Sequence, residues 1–377
     1  MTSSAIDPVE LARKLIACPS VTPYDVGAQD VLIDALEPLG FTAHDVSRGK
    51  VRNTFFRLGG EGPHFCFCGH TDVVPPGDEH SWSCPPFSGE VRGGMLYGRG
   101  AADMKGNIAC FAAAVSRFLA GGNFKGSISL LITGDEEGEA LDGTVKVLEW
   151  MRGNNHIPDA ALVGEPTNPE KIGDEIKIGR RGSLSGTITV TGKQGHVAYP
   201  RLADNPLPKL VKLLAALAAH KFDEGSEYFP PTNLELTSID TGNAADNVIP
   251  EKTAARFNVR FNDKWSAQSL SDKIVSLLDA AGADYKISFW SNAESFLSAP
   301  GKLAEMVSAA VAETAQRTPK LTTSGGTSDA RFVARYCPVV EFGLVNKTIH
   351  QVDECVAVAD METLTGIYAG ILGRFFK

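Results

Sequence analysis

Ser127-Ile128-Ser129-Leu130-Leu131-Ile132-Thr133-Gly134-Asp135-Glu136-Glu137 is an apolar run of strand length that stops at a glycine and then presents consecutive carboxylates. A run this short, bounded by turn residues, reads as a buried strand, Ser127–Thr133. The same pattern occurs on either side of it. Phe65–Cys68 is followed at once by Gly69-His70-Thr71-Asp72, and Ala160–Val163 by Gly164-Glu165-Pro166. Asn107–Ala120 between them carries the period of a helix. Strands alternating with helices predict an α/β sheet covered by helices. Sites in such sheets form outside the carboxyl ends of the strands, so His70, Asp72, Glu136, Glu137 and Glu165 converge on one rim.

The rhythm changes near Gly182. Ser183–Thr191 reads as a strand, Asn205–His220 as an amphipathic helix, Asn233–Asp240 and Thr253–Phe261 as strands, Ser266–Ala281 as a helix and Tyr285–Trp290 as a strand. That order, βαββαβ, is the ferredoxin-like split motif. Beyond Pro300 the α/β pattern resumes with a helix over Lys302–Gln316 and a strand over Val339–Gly343. The expected organisation is a mixed-sheet catalytic domain over 1–181 and 295–377, interrupted by a small domain over 182–294. A length of 377 residues agrees with two domains.

A hydrophobic content of 43% with 21% charged residues is that of a globular protein, and a net charge of −9 argues against nucleic acid as a partner. The seven cysteines form no CxxC pair, which indicates neither a disulfide framework nor a thiolate metal site. Asp7-Pro8-Val9-Glu10 reads as a helix start rather than a signal peptide. No apolar run approaches the ~20 residues that span a bilayer. Cytoplasmic localisation, without a membrane partner, is the expectation.

His70 and Asp72 lie two apart, the spacing that turns both side chains to one face of a strand. A carboxylate so placed can orient a metal-bound imidazole. The adjacent Glu136 and Glu137 would repel each other beside further acids unless a cation or a shared proton relieved them. Tyr97 through Gly106 has glycines but neither GxGxxG nor GxxxxGK[ST], so it reads as a tight turn placing Asp103 in the site rather than as a phosphate loop. No GxSxG elbow occurs, and Cys68 alternates with Phe65 and Phe67 as ordinary core. His350 follows another strand end. Two histidines with several carboxylates suit zinc, cobalt or manganese, and an acid able to bridge suits a two-metal site.

Gly69-His70-Thr71-Asp72, Gly98-Arg99-Gly100 with Asp103-Met104-Lys105-Gly106, Asp135-Glu136-Glu137-Gly138, Val163-Gly164-Glu165-Pro166 and His350 resemble, in order and spacing, the metal motifs of the M20 metallopeptidase and deacylase family. The resemblance implies two Zn2+ per subunit, with Co2+ a plausible substitute. One zinc would be held by His70 and Glu165 and the other by Glu137 and His350, with Asp103 bridging through a cis Asp103–Met104 peptide. Asp72 would orient His70, and Glu136 would be the general base. Further stretches, Ile178 through Ser183, Asn247 through Pro250, Phe257 through Phe261, Thr323 through Asp329 and Asn346 through His350, are similar to the members that remove a succinyl group from a diamino dicarboxylic acid. They imply substrate contacts from Arg180, Ser183, Tyr199, Asn247, Arg260, Gly326, Thr327 and Asn346. Lys177 and Arg181 lie beside these, with a solvated face as the alternative. The family's inserted domain implies a homodimer in which His196 completes the neighbouring subunit's active site. An acetylornithine-type deacetylase or aminoacylase would share every metal ligand. An inactive metal-binding scaffold would have no use for both Glu136 and His196.

Overall fold

The computed structural model describes residues 5–122 and 124–377. The chain divides into two compact units. The first takes in the chain up to Ile178 together with Ser298–Thr322 and Ser328–Lys377; the second comprises Gly179–Leu297 and Thr323–Thr327. The second unit begins and ends slightly outside 182–294 because Gly179–Arg180 pairs antiparallel with Phe296–Leu297, zipping the entering and leaving segments together.

The first unit is built on an 8-stranded sheet in the order Thr42–Asp45, Thr54–Gly59, Ser127–Thr133, His64–His70, Ala160–Val163, Val339–Glu341, Glu175–Lys177, Lys320–Thr322. The four strands from Ser127–Thr133 to Val339–Glu341 run parallel, and antiparallel pairings on either side make the sheet mixed. Every residue of His64–His70, Ser127–Thr133 and Ala160–Val163 is buried, as expected of parallel strands covered on both faces. Phe65 and Phe67 face one side, where Phe67 stacks on Phe111 of the helix Lys105–Ala120 at 4.3 Å and meets Tyr368 of the C-terminal helix Val358–Phe375 edge-on. Burial of each such ring contributes about 1.5–3 kcal/mol. His64, Cys66, Cys68 and His70 have the opposite parity, so the period of two that buries the rings also sets the direction of His70.

Strand and helix boundaries follow the sequence reading in most places and depart in a few. The strand before the His350 segment ends at Glu341 rather than Gly343, and the last strand of the βαββαβ motif runs Lys286–Ala293 rather than Tyr285–Trp290. Thr42–Asp45, Thr54–Gly59, Glu175–Lys177 and Lys320–Thr322 form strands that no apolar run announced, because they lie toward the sheet's two edges and take their conformation from their neighbours. The first helix is Pro8–Ile16, and the Asp7 side chain accepts from the amides of Val9 and Glu10. All seven cysteines are free.

The second unit holds a 4-stranded antiparallel sheet in the order Asn233–Asp240, Lys252–Phe261, Gly182–Thr191, Lys286–Ala293, with the helices Pro206–Ala218 and Ala267–Ala281. Chain order and sheet order together are those of the ferredoxin-like βαββαβ motif. Leu184, Ile188, Phe257 and Val259 face Leu213, Leu217, Leu270 and Ile274 of the helices. The opposite parity places Ser183, Ser185, Asn258 and Arg260 on the other face of the sheet. Among the described residues no helix is long and apolar enough to cross a membrane.

Candidate active site

Three parallel strands deliver their ligand-type residues to the same rim. His70 is the last residue of His64–His70, Glu136 and Glu137 follow Ser127–Thr133, and Glu165 follows Ala160–Val163. Asp103 arrives from the turn before the helix Lys105–Ala120, across a cis Asp103–Met104 peptide bond. His350 arrives from the loop after Val339–Glu341, in the left-handed region at φ 60°.

His70 Nε2 lies 3.2 Å from Asp103 Oδ1 and 3.8 Å from Glu165 Oε1. His350 Nε2 lies 2.8 Å from Glu137 Oε1 and 3.5 Å from Asp103 Oδ2. The two oxygens of Asp103 therefore face two different histidines. Ligand atoms of His70, Asp103 and Glu165 lie within 4.8 Å of one another, as do those of Asp103, Glu137 and His350, and those of His70, Glu136 and Glu137.

Hydrogen-bond chemistry tests whether this donor set fits a cation. His70 Nδ1 lies 2.9 Å from the Asp72 carbonyl oxygen, which can only accept, so Nδ1 carries the proton. In the neutral ring Nε2 then presents a lone pair toward the Asp103 carboxylate, an arrangement that a positive charge between them resolves. Mixed nitrogen and oxygen ligation of this kind suits zinc and its neighbours. Without such a charge the site must hold its own protons. Burial opposes a charge on His70, but the facing Asp103, Asp72 and Glu136 carboxylates outweigh it and hold the ring well above its ordinary value. Burial, followed by Glu165, raises Glu136 well above the usual carboxylate range. Hydrogen bonds to Asp103 and Glu137 push His350 up to about 10. The residues fit a two-metal centre.

The Asp72 carboxylate is 3.6 Å from His70 Nδ1, outside hydrogen-bond distance, so the backbone carbonyl makes the orienting contact. That carboxylate instead accepts from the amides of Glu136 at 3.3 Å and Glu137 at 3.0 Å, which ties the loop bearing both glutamates to the strand end bearing His70. Burial pushes Asp72 up to about 6. Asp135 closes the same loop by accepting from the amides of Leu141 and Asp142.

The model for peptidase family M20/M25/M40 matches residues 66–374. The chain belongs to that family. A relative named succinyl-diaminopimelate desuccinylase from Rhodospirillum centenum is 55% identical over 378 residues, covering 99% of this chain and 98% of its own. The solved aminopeptidase PepT from Bacillus cereus superposes with a TM-score of 0.80 at 19% identity, covering 99% of this chain and 100% of its own. The Bacillus subtilis YXEP protein, described as a dinuclear metal binding peptidase from the M20 family, superposes with a TM-score of 0.72 at 16% identity, covering 98% of this chain and 97% of its own. As an M20 protein the chain is a metal-dependent hydrolase with an M20 fold.

Most substrate-side residues expected of this M20 chain belong to the second unit, where they form small groups. Arg180, 7% exposed, donates to the Gly326 carbonyl at 3.2 Å, with Thr327 next in sequence. Ser183 is the register partner of Arg260 and accepts from Asn258 Nδ2 at 3.1 Å. Burial lowers the pKa of Arg260; burial, followed by the like charge of Arg260, also lowers that of Arg181, whose Nη1 is held by Asn233 at 2.8 Å. His196 is exposed on the two-residue strand Gly195–His196, which pairs with Val248–Ile249. Its carbonyl accepts from the Tyr199 amide at 2.9 Å, and Asn247 stands beside its register partner Val248. Asn346 and the buried Lys177 belong to the first unit; Lys177 donates to Glu175 and Thr322.

Sequence reasoning missed Glu354, which is 0% exposed. Its Oε1 accepts from the amides of Ala102 at 2.8 Å and Asp103 at 3.0 Å, and its Oε2 meets Arg99 Nη1 at 2.7 Å. An acid four residues past a candidate histidine carries no signal of its own. The buried pair was legible only as the arginine of a motif.

Proposed function

We propose that the protein hydrolyses the amide bond of N-succinyl-LL-2,6-diaminopimelate, giving succinate and LL-2,6-diaminopimelate for lysine and cell-wall precursor synthesis in the cytoplasm. The observation that carries the chemistry is Asp103, whose two carboxylate oxygens face His70 and His350 separately. The substrate rests on similarity to desuccinylases along the full length of the chain.

In this reading Asp103 would serve both of two Zn2+ positions, His70 and Glu165 would hold one ion, and Glu137 and His350 would hold the other, with Co2+ able to substitute. Bound there, the ions supply an acidified water and positive charge for the carbonyl oxygen under attack. Glu136 is the general base: its carboxylate takes a proton as the water attacks and delivers it to the departing amine nitrogen. Asp72 sets the position of Glu136 through its amide. Arg180 and Arg260 recognise substrate carboxylates, for which a planar guanidinium fork is suited. Ser183, Tyr199, Asn247, Gly326, Thr327 and Asn346 supply the remaining substrate contacts.

The second unit serves as a dimerisation domain. Its edge strand Asn233–Asp240 carries the exposed apolar residues Leu236 and Ile239, and pairing across a two-fold axis would satisfy that edge. His196 then donates a hydrogen bond to the developing oxyanion in the partner subunit. Hydrolysis of succinylated and acetylated diaminopimelate by the zinc-loaded protein tests the reading. A strong preference for the succinyl group is expected. Equal rates, or a preference for acetyl, would reassign the protein to another M20 deacylase.

A further inference from the structure

We propose that Arg99 and Glu354 are positioning residues that hold Asp103 and His350 at one spacing, so that the metal position needing His350 keeps its full affinity only while the Arg99 fork engages the Glu354 carboxylate.

The ligands come from five separate segments, and two of these are a turn and a loop. Asp103 sits in a turn, not on a strand, and His350 sits on a loop with its side chain 45% exposed. Glu354 and Arg99 join these two segments. The Glu354 carboxylate accepts from the amide of Asp103 itself and from that of Ala102 before it. Arg99 Nη1 meets Glu354 Oε2 at 2.7 Å and donates to the Gln351 carbonyl at 3.1 Å, while Nη2 lies 3.5 Å from the His350 carbonyl. Nη2 also reaches the Pro75 carbonyl at 3.4 Å, on the segment leaving the His70 strand. Trp82 covers the guanidinium at 5.2 Å, and the Gly98 amide returns a bond to the Glu354 carbonyl at 2.9 Å.

The pair is 2% and 0% exposed, so it forgoes nearly all hydration. A buried ion pair is a weak source of net stability, because desolvation offsets most of its attraction. Its directional bonds are a different matter. A carboxylate that binds two successive amides and a guanidinium that reaches three carbonyls on two segments set relative positions more narrowly than apolar packing does. Groups holding metal ligands in place commonly change affinity 10–100-fold when altered.

The inference rests on the two-metal reading of this site, and its test does not involve the substrate. Arg99→Lys and Glu354→Gln keep size and most hydrogen bonding while breaking the fork-to-carboxylate match. Each variant and the parent are stripped of metal, shown to be folded by circular dichroism, and titrated with Co2+ while the visible absorption of the bound ion is recorded. His350→Ala, titrated in parallel, identifies which equivalent depends on His350. In Arg99→Lys that same equivalent is expected to weaken at least tenfold with an altered Co2+ spectrum, and the other equivalent to weaken less. Both equivalents binding as in the parent, with only a lower melting temperature of the metal-free protein, would overturn the proposal. So would a selective loss of the equivalent that His350→Ala spares. If Glu354→Gln does not fold, Arg99→Lys alone decides between these outcomes. A parent that binds fewer than two ions would instead refute the two-metal reading.

Discussion

His64 opens the strand that ends in His70, and its replacement by glutamine gives a pH-dependent change in stability whose sign and size follow from its surroundings. The ring is 5% exposed, its Nε2 is 2.7 Å from Ser129 Oγ, and burial followed by the charge of Arg57 lowers its pKa to about 4. An unfolded histidine titrates near 6.5. Below that pH the unfolded chain takes up a proton that the folded chain refuses until about pH 4. Stability from this group is therefore complete above pH 6.5, is lost progressively as pH falls towards 4, and changes no further below it. Integrating the linkage from pH 7.5 to 5.0 gives a loss of about 2 kcal/mol from His64 alone. Glutamine can still bond to Ser129 and does not titrate. The assay is urea unfolding of metal-free parent and His64→Gln at both pH values, followed by circular dichroism. The parent should lose about 2 kcal/mol more than the variant. Titration of the metal-site groups, common to both proteins, cancels in the comparison. Equal losses would show that His64 is not held neutral by its burial, and the reasoning would fall.

Glu136→Gln should retain both metal equivalents by elemental analysis and lose at least a hundredfold in kcat, the usual scale for removing a general base; near-parental turnover would remove Glu136 from the mechanism. Arg260→Ala should raise KM for the succinylated substrate and narrow its preference over the acetylated one, since a charge-assisted hydrogen bond is worth about 1.5–3 kcal/mol. Unchanged discrimination would make that cation a surface group. Mixing inactive His196→Ala and Glu136→Ala subunits should restore part of the activity if His196 acts in the partner's site. Proven heterodimers without recovery would exclude the shared site.

Much of the catalytic unit was legible because its central strands are parallel and covered on both faces. They are buried from end to end and largely apolar, and they stop at a glycine followed by carboxylates, so Ser127–Thr133 and Ala160–Val163 could be bounded to the residue. The same breaks marked Glu136, Glu137 and Glu165, whereas the strand expected to stop at Cys68 runs on through Gly69 to His70. The helical and strand periods of the second unit exposed its βαββαβ order in the same way. Thr42–Asp45 and Lys320–Thr322 were not legible, because an outer strand of a mixed sheet needs a partner more than a pattern. The spacing makes the Asp72 carboxylate a partner of His70, but its nearer bonds are to the amides of Glu136 and Glu137. Spacing tells which way a side chain points, not which amide is closest when it arrives. Glu354 shows the difference at its largest. Alone in the chain it is one acid among 45 acidic residues, and its meaning depends on amides 251 and 252 positions away. Period and composition are local properties and were readable by themselves; the choice of which distant groups share a proton, a charge or an ion belongs to the folded chain, because Coulomb and hydrogen-bond energies depend on separation in space and not along the sequence.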